Sequence, residues 1–161
     1  MNTKVVGEHS ESMVLAALVR TKPCVLLPWG DNQRYDLVFE ENGKFNRVQC
    51  KTGLLAGGAV RFPTSSGYAH RRRPSRGYRG EVDYFGVYCL QTDKVYLVPI
   101  DDTAGDRETS LRVDPPRNGQ RSNIRWAKTY ELSALRQQFS ALPVSHSRLV
   151  APDGSDPSSR P

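Results

Sequence analysis

The chain of 161 residues carries 23 Lys and Arg against 17 Asp and Glu, a formal net charge of +6, with 37% hydrophobic and 25% charged residues. That length fits one domain whose core needs no disulfides, and no apolar run is long enough to span a membrane. Three cysteines inside apolar runs (Cys24, Cys50, Cys89) and three scattered histidines (His9, His70, His146) argue against a structural zinc site; with no apolar signal core in MNTKVVGEHSES, free thiols and a cytoplasmic location are expected.

In chain order, SESMVLAALVR places Met13, Val14, Ala17 and Leu18 at helical spacing, with Ser10 as the cap before Glu11 and Lys22-Pro23 as the stop. CVLLP reads as a strand leading into the loop WGDNQR. YDLVFEENGKFNRVQCKTG then reads as a β-hairpin, because Asn42-Gly43 is the preferred pair for a two-residue type I′ turn. With Glu41 opposite Lys44, Asp36 falls opposite Gln49. Alternation along a strand puts Lys51 on the face of Gln49, and Tyr35, Leu37, Phe39, Val48 and Cys50 on the other, apolar face. AVRF, DYFGVYCL, KVYLVPI and TSLRV are expected to be further strands, with Gln91-Thr92-Asp93 between the second and third. IRWAKTYELSALRQQF mixes apolar and basic residues at helical spacing and is expected to cover the sheet or an oligomer interface. Residues 1–142 are read as one domain, and the Pro, Ser, Gly and Asp of 143–161 as a disordered tail.

The positive charge is uneven. Arg71, Arg72, Arg73, Arg76 and Arg79 crowd the stretch 69–80, with Pro74 and Gly77 among them and the acid Glu81 only after it. Like charges at this density repel in a free loop and gain most from phosphates, whose neutralisation releases condensed counterions. A DNA-contacting loop and a solvated basic loop fit this stretch equally well.

Asp36, Gln49 and Lys51 bring an acid, an amide and a cation to one hairpin face. Each alone has an ordinary reading: Asp36 as a cap of the WGDN loop, Gln49 as a solvent-facing strand residue, Lys51 as an edge-strand guard. Together, against an apolar reverse face, they read as a metal site. A hard divalent cation prefers the carboxylate oxygen of Asp36, Gln49 offers its side-chain carbonyl, and Lys51 is suited to charge developing on a phosphate. Asp83 and Asp101-Asp102 read as a strand entrance and a turn. Trp29 fits either packing at a loop entrance or contact with a base or sugar. Thr64, Ser65 and Ser66 fit either a DNA path or ordinary loop polarity. Cys24 and Cys89 lack a histidine to activate them.

The order helix, acidic strand, hairpin and lysine resembles the nuclease superfamily with the signature PD-(D/E)xK, written here as Asp36 and then Gln49-Cys50-Lys51. The series SESMVLAAL, PWGDNQRYDLV, VQCKTG, EVDYFGVY, KVYLVPID and IRWAKTYEL is similar to the endonucleases associated with group I introns, in which glutamine replaces the second acid. The likeness runs from about Gly7 to Tyr130 and leaves the arginine-rich stretch and the tail uncovered. It implies an α/β (α+β) restriction-endonuclease-like core, a mixed sheet flanked by helices. It further implies a Mg²⁺ site, with Mn²⁺ as substitute, in which Glu11 and the Cys50 backbone carbonyl join Asp36 and Gln49. Glu8, one helical turn earlier, is the alternative to Glu11. The expected activity is site-specific hydrolysis of double-stranded DNA by a homodimer or larger homo-oligomer. A four-way-junction resolvase and a DNA-binding module with a decayed site are the alternatives, the latter favoured by the missing second carboxylate.

Overall fold

The computed structural model describes residues 2–30, 32–66, 76–103, 107–115 and 122–132, apart from the side chains of Ser66 and Arg76. Its first helix starts earlier than the sequence pattern indicates. Asn2 Oδ1 accepts the Lys4 N–H at 3.0 Å and opens α1 (Thr3–Thr21). Ser10 therefore lies inside the helix and is not its cap: its hydroxyl donates back to Val6 O at 3.0 Å and meets Thr52 Oγ1 at 2.7 Å. The helix stops where expected, with the Lys22 N–H on Leu18 O at 2.8 Å and Pro23 next in the chain.

The strands are β1 (Cys24–Leu26), β2 (Leu37–Glu41), β3 (Lys44–Ala56), β4 (Ala59–Pro63), β5 (Ser65–Ser66), β6 (Arg76–Gly77), β7 (Tyr84–Cys89), β8 (Lys94–Pro99) and β9 (Glu108–Arg112). Asn42 and Gly43 take φ of 53° and 74°, the left-handed pair a type I′ turn needs, and β2 meets β3 with Glu41 opposite Lys44 and Leu37 opposite Val48. The long β3 then serves three partners. It pairs antiparallel with β2, parallel with β7 from Val48 to Gly53, and antiparallel with β4 at Leu54–Ala56. β1 and β8 extend the sheet outward, and β9 adds to β4, giving a mixed seven-stranded sheet.

Both faces of this sheet are covered. On one, Val14 and Leu18 of α1 pack on Leu37, Phe39, Val48 and Tyr88. Gly86 of β7 lets the helix come this close, since a Cβ there would stand 2.5 Å from Val14 Cγ1. On the other face, Phe85, Val87 and Cys89 of β7 pack with Val60, Phe62, Leu111 and Val98, and with Tyr78 and Val82 from the segment before β7. Tyr35 packs against this second group, so its place on one apolar face with Leu37, Phe39 and Val48 is corrected. Strict alternation holds only inside a strand, and β2 begins two residues later, at Leu37.

Two other expectations change. The helix expected in IRWAKTYELSALRQQF is confined, among the described residues, to α2 (Ala127–Tyr130). Beyond it Glu131 bridges Tyr96 and the Leu132 N–H donates to Val95 O at 2.9 Å, so β8 takes the backbone groups that would continue the helix. Of the stretch 69–80, the described residues 76–80 are not a free loop. β5 and β6 pair with each other, Tyr78 is buried, and Arg79 bridges Val82. Arg71, Arg72, Arg73 and the expected tail 143–161 lie outside the described residues. No described helix is long and apolar enough to cross a membrane.

Candidate active site

A notch opens where β2 starts. In an antiparallel ladder a residue's N–H and C=O point to the same neighbour, so Val48 and Cys50 both aim at the β2 side of β3. Val48 finds a partner there, its carbonyl accepting the Asp36 N–H at 2.9 Å. Cys50 lies past the first residue of β2 and has no β2 residue opposite it on that side. Asp36 fills half of that gap: its Oδ2 accepts the Cys50 N–H at 2.6 Å. The Cys50 carbonyl is left facing the notch. Gln49 Nε2 reaches across, donating to Asp36 Oδ2 at 2.5 Å and, weakly, to Cys50 O at 3.4 Å.

Glu11 comes to this notch from α1. Its carboxyl is pushed above the ordinary carboxylate range by burial, then by the charge of Asp36 and of Glu8. Asp36 is also raised, chiefly by burial, although the Cys50 N–H and the charge of Lys51 pull the other way. Glu8 is turned elsewhere, with Lys4 Nζ 3.8 Å from its Oε1 on the exposed side of the helix. Of the two acids the sequence offers, Glu11 is the one raised by the charge of Asp36. Burial, then the charges of Asp36 and Glu11, drives the Cys50 thiol far above its ordinary value, so it stays protonated and inert.

Lys51, two residues on from Gln49 and on the same face, sends its ammonium to Tyr78. Nζ donates to the Tyr78 hydroxyl at 3.0 Å and lies 4.6 Å from the ring centroid. The Arg34 guanidinium lies over the same ring at 4.2 Å, and Arg34 is anchored by Glu81 Oε2 at 2.7 Å and by Gly77 O at 2.9 Å. Residue type and spacing gave no sign of Tyr78 or Arg34. Tyr78 is separated from Lys51 by 27 positions, and only the packing of the segment before β7 brings them together.

The other marked residues are sorted by their contacts. Asp83 holds the entrance of β7: its Oδ2 accepts the Arg47 N–H at 2.8 Å and the Arg47 Nε at 3.1 Å. Burial raises its carboxyl, but these Arg47 bonds and the arginine charge outweigh burial and leave it below the ordinary range. Asp101 and Asp102 sit in a 3-10 turn. Thr64 is buried, its N–H on Arg107 O at 2.9 Å. Arg79 is exposed, and Arg76 is placed only as a backbone position in β6. Trp29 does not pack: it is 98% exposed, just before Gly30 with φ of 89°. Because Leu26 pairs with Val38, the loop that carries Trp29 leaves β1 at the same end of the sheet as Asp36.

The donor chemistry fits a hard divalent cation. An amide N–H donor of Gln49 now sits between two acceptors, the Asp36 carboxylate and the Cys50 carbonyl, and a half-turn of the amide would present its oxygen in the same place. Two carboxyls raised by burial, Glu11 further by the charge of Asp36, are what a cation would relieve. No group of three His, Cys, Asp or Glu side chains that could hold a metal ion lies among the described residues.

The model of the family described as PD-(D/E)XK endonuclease matches residues 1–133. Among solved structures, the bacterial homing endonuclease I-Ssp6803I is similar at a TM-score of 0.64 and 25% identity, over 81% of this chain and 89% of that one. No curated protein matches the chain. The mixed sheet with α1 against it is thus a restriction-endonuclease-like α+β core. The chain belongs to the PD-(D/E)XK endonuclease family.

Proposed function

We propose that the chain is a Mg²⁺-dependent, site-specific endonuclease of double-stranded DNA, of the homing type, with its active site in the notch. The observation that carries this reading is the convergence of Asp36 Oδ2, the Gln49 amide and the Cys50 carbonyl at a strand end, with the Lys51 ammonium on the same face. Asp36, Gln49, Cys50 through its carbonyl, and Glu11 would hold the ion; Mn²⁺ would replace it. When bound, the ion supplies Lewis-acid polarisation and neutralises charge at the scissile phosphate. Lys51 orients the attacking water and stabilises the charge that grows on the phosphoryl oxygens as one P–O bond forms and the ester P–O bond breaks. The amide of Gln49 gives the ion one negative charge fewer than a second acid would, and Glu11 makes up for it.

DNA is gripped by charge and by stacking. Arg71, Arg72, Arg73, Arg76 and Arg79 contact phosphates and set the salt dependence of binding, and the exposed indole of Trp29 stacks on or wedges against a base. A double-strand break needs one centre per strand, so two copies act together on a pseudo-palindromic target.

The test is cleavage of a randomised duplex library in Mg²⁺, in Mn²⁺ and in EDTA, beside a four-way junction. Cuts at a discrete sequence in either ion and none in EDTA support the reading. Preference for the junction would make the chain a structure-specific resolvase. Sequence-specific binding with no cutting in either ion would leave a DNA-binding module with a decayed site.

A further inference from the structure

We infer that Tyr78 is a positioning residue for Lys51, holding the ammonium off Asp36 so that the carboxylate stays open to a cation. The inference rests on the nuclease reading above. A lysine side chain is long and flexible, and one placed beside a buried carboxylate gains by closing onto it. Lys51 is near enough for its charge to pull the Asp36 carboxyl down, yet no ion pair joins the two among the described residues. Among the described residues its ammonium donates to the Tyr78 hydroxyl at 3.0 Å, and its charge also lies 4.6 Å from the ring centroid.

Tyr78 can impose this because it is fixed on every side. It is only 5% exposed, its ring meets Phe85 edge-on at 5.6 Å, and Arg34 lies over it at 4.2 Å. Its carbonyl accepts two N–H groups, from Glu81 at 2.9 Å and Val82 at 3.1 Å. A phenol so held is a rigid acceptor, and a rigid acceptor selects one position for a mobile ammonium. Lys51 hydrogen-bonded to a neutral partner also keeps its full charge for the phosphate, whereas an ion pair with Asp36 would cancel ligand and stabiliser together.

Four proteins test this: wild type, Tyr78→Phe, Lys51→Ala and the double variant. Each is measured for single-turnover cleavage of the duplex that wild type selects from a randomised library, for affinity to that duplex in EDTA, and for melting temperature. Tyr78→Phe is expected to lose roughly 10- to 100-fold in rate, the loss of a hydrogen bond to a charged group, with affinity and melting nearly unchanged. In the Lys51→Ala background the same substitution is expected to cost nothing further, because the residue acts through Lys51. An undiminished rate in Tyr78→Phe, an equal loss with and without Lys51, or a loss matched by weaker binding would each overturn the inference. Wild-type cleavage by Lys51→Ala would instead remove the role of Lys51 itself, and this inference with it.

Discussion

The Asp36 carboxylate accepts the Cys50 N–H at 2.6 Å at the point where β2 no longer reaches β3. One side chain thus closes a strand ladder and presents the acid of the notch. Asp36→Asn keeps the shape and can still accept this bond through its amide oxygen, but removes the charge. Cleavage is expected to fall by roughly 1000-fold or more while the fold persists, as read by single-turnover rate and circular dichroism.

Burial raises both Asp36 and Glu11, so the metal-free folded chain binds more protons than the unfolded chain just above the ordinary carboxylate range. A raised acid lowers stability as pH rises through that window, and the loss persists at neutral pH. In EDTA, the gain in melting temperature from about pH 7 to about pH 5 is expected to be smaller in Asp36→Asn than in wild type, and Asp36→Asn to be the more stable of the two near pH 7. For the same reason Mg²⁺ affinity is expected to weaken as pH falls through the window, which calorimetry reads directly.

Gln49→Glu replaces the amide donor 2.5 Å from Asp36 by a second acid. Metal-free, the two carboxylates repel, and the melting temperature is expected to drop in EDTA. With ion added, affinity is expected to tighten by roughly tenfold, since a hard cation gains a charged ligand. Titration with Mn²⁺ followed by electron paramagnetic resonance checks this.

Trp29→Ala touches nothing that packs. Unfolding free energy is expected to stay within about 0.5 kcal/mol of wild type. DNA binding is expected to lose about 1–3 kcal/mol, the worth of one base–aromatic stack, measured by fluorescence anisotropy.

Gly86→Ala would drive a Cβ to within 2.5 Å of Val14 Cγ1 and 3.0 Å of Val48 Cγ1. Either α1 or β3 must shift, at a cost of about 1–3 kcal/mol. Val14 lies one turn from Glu11, so cleavage is expected to fall beyond what the lost stability explains. Gly7→Ala on the same helix meets nothing within 4 Å and is expected to stabilise by about 0.5–1 kcal/mol with the rate unchanged. Chemical denaturation and single-turnover rates separate the two.

The hairpin was legible because two independent local signals agree, the Asn42-Gly43 turn and the alternation from Leu37 to Phe39 and from Val48 to Cys50. Its register is observed from Glu41 and Lys44 to Leu37 and Val48, and just past it the Gln49 amide donates to the Asp36 carboxylate. Tyr35 and Ser10 were misread for a shared reason: each lies near an element's expected boundary, and boundaries depend on which residue supplies the last bond. Asn2 extended α1 past Ser10, and β2 began after Tyr35. Glu11 carries no local mark of function and stood out only through the family pattern. Tyr78 and Arg34 carried none at all, since their meeting with Lys51 depends on how the segment before β7 packs under the sheet. Trp29 shows the limit of residue type alone, because exposure, not identity, separates a packed indole from a waiting one.

The most direct test is the fate of Lys51→Ala on duplex DNA, with binding followed in EDTA and cutting in Mg²⁺. Wild type is expected to bind and cut one discrete sequence, and Lys51→Ala to bind that sequence and cut it only at a small residual rate. Cutting by Lys51→Ala at the wild-type rate would contradict the assignment of the notch as the active site.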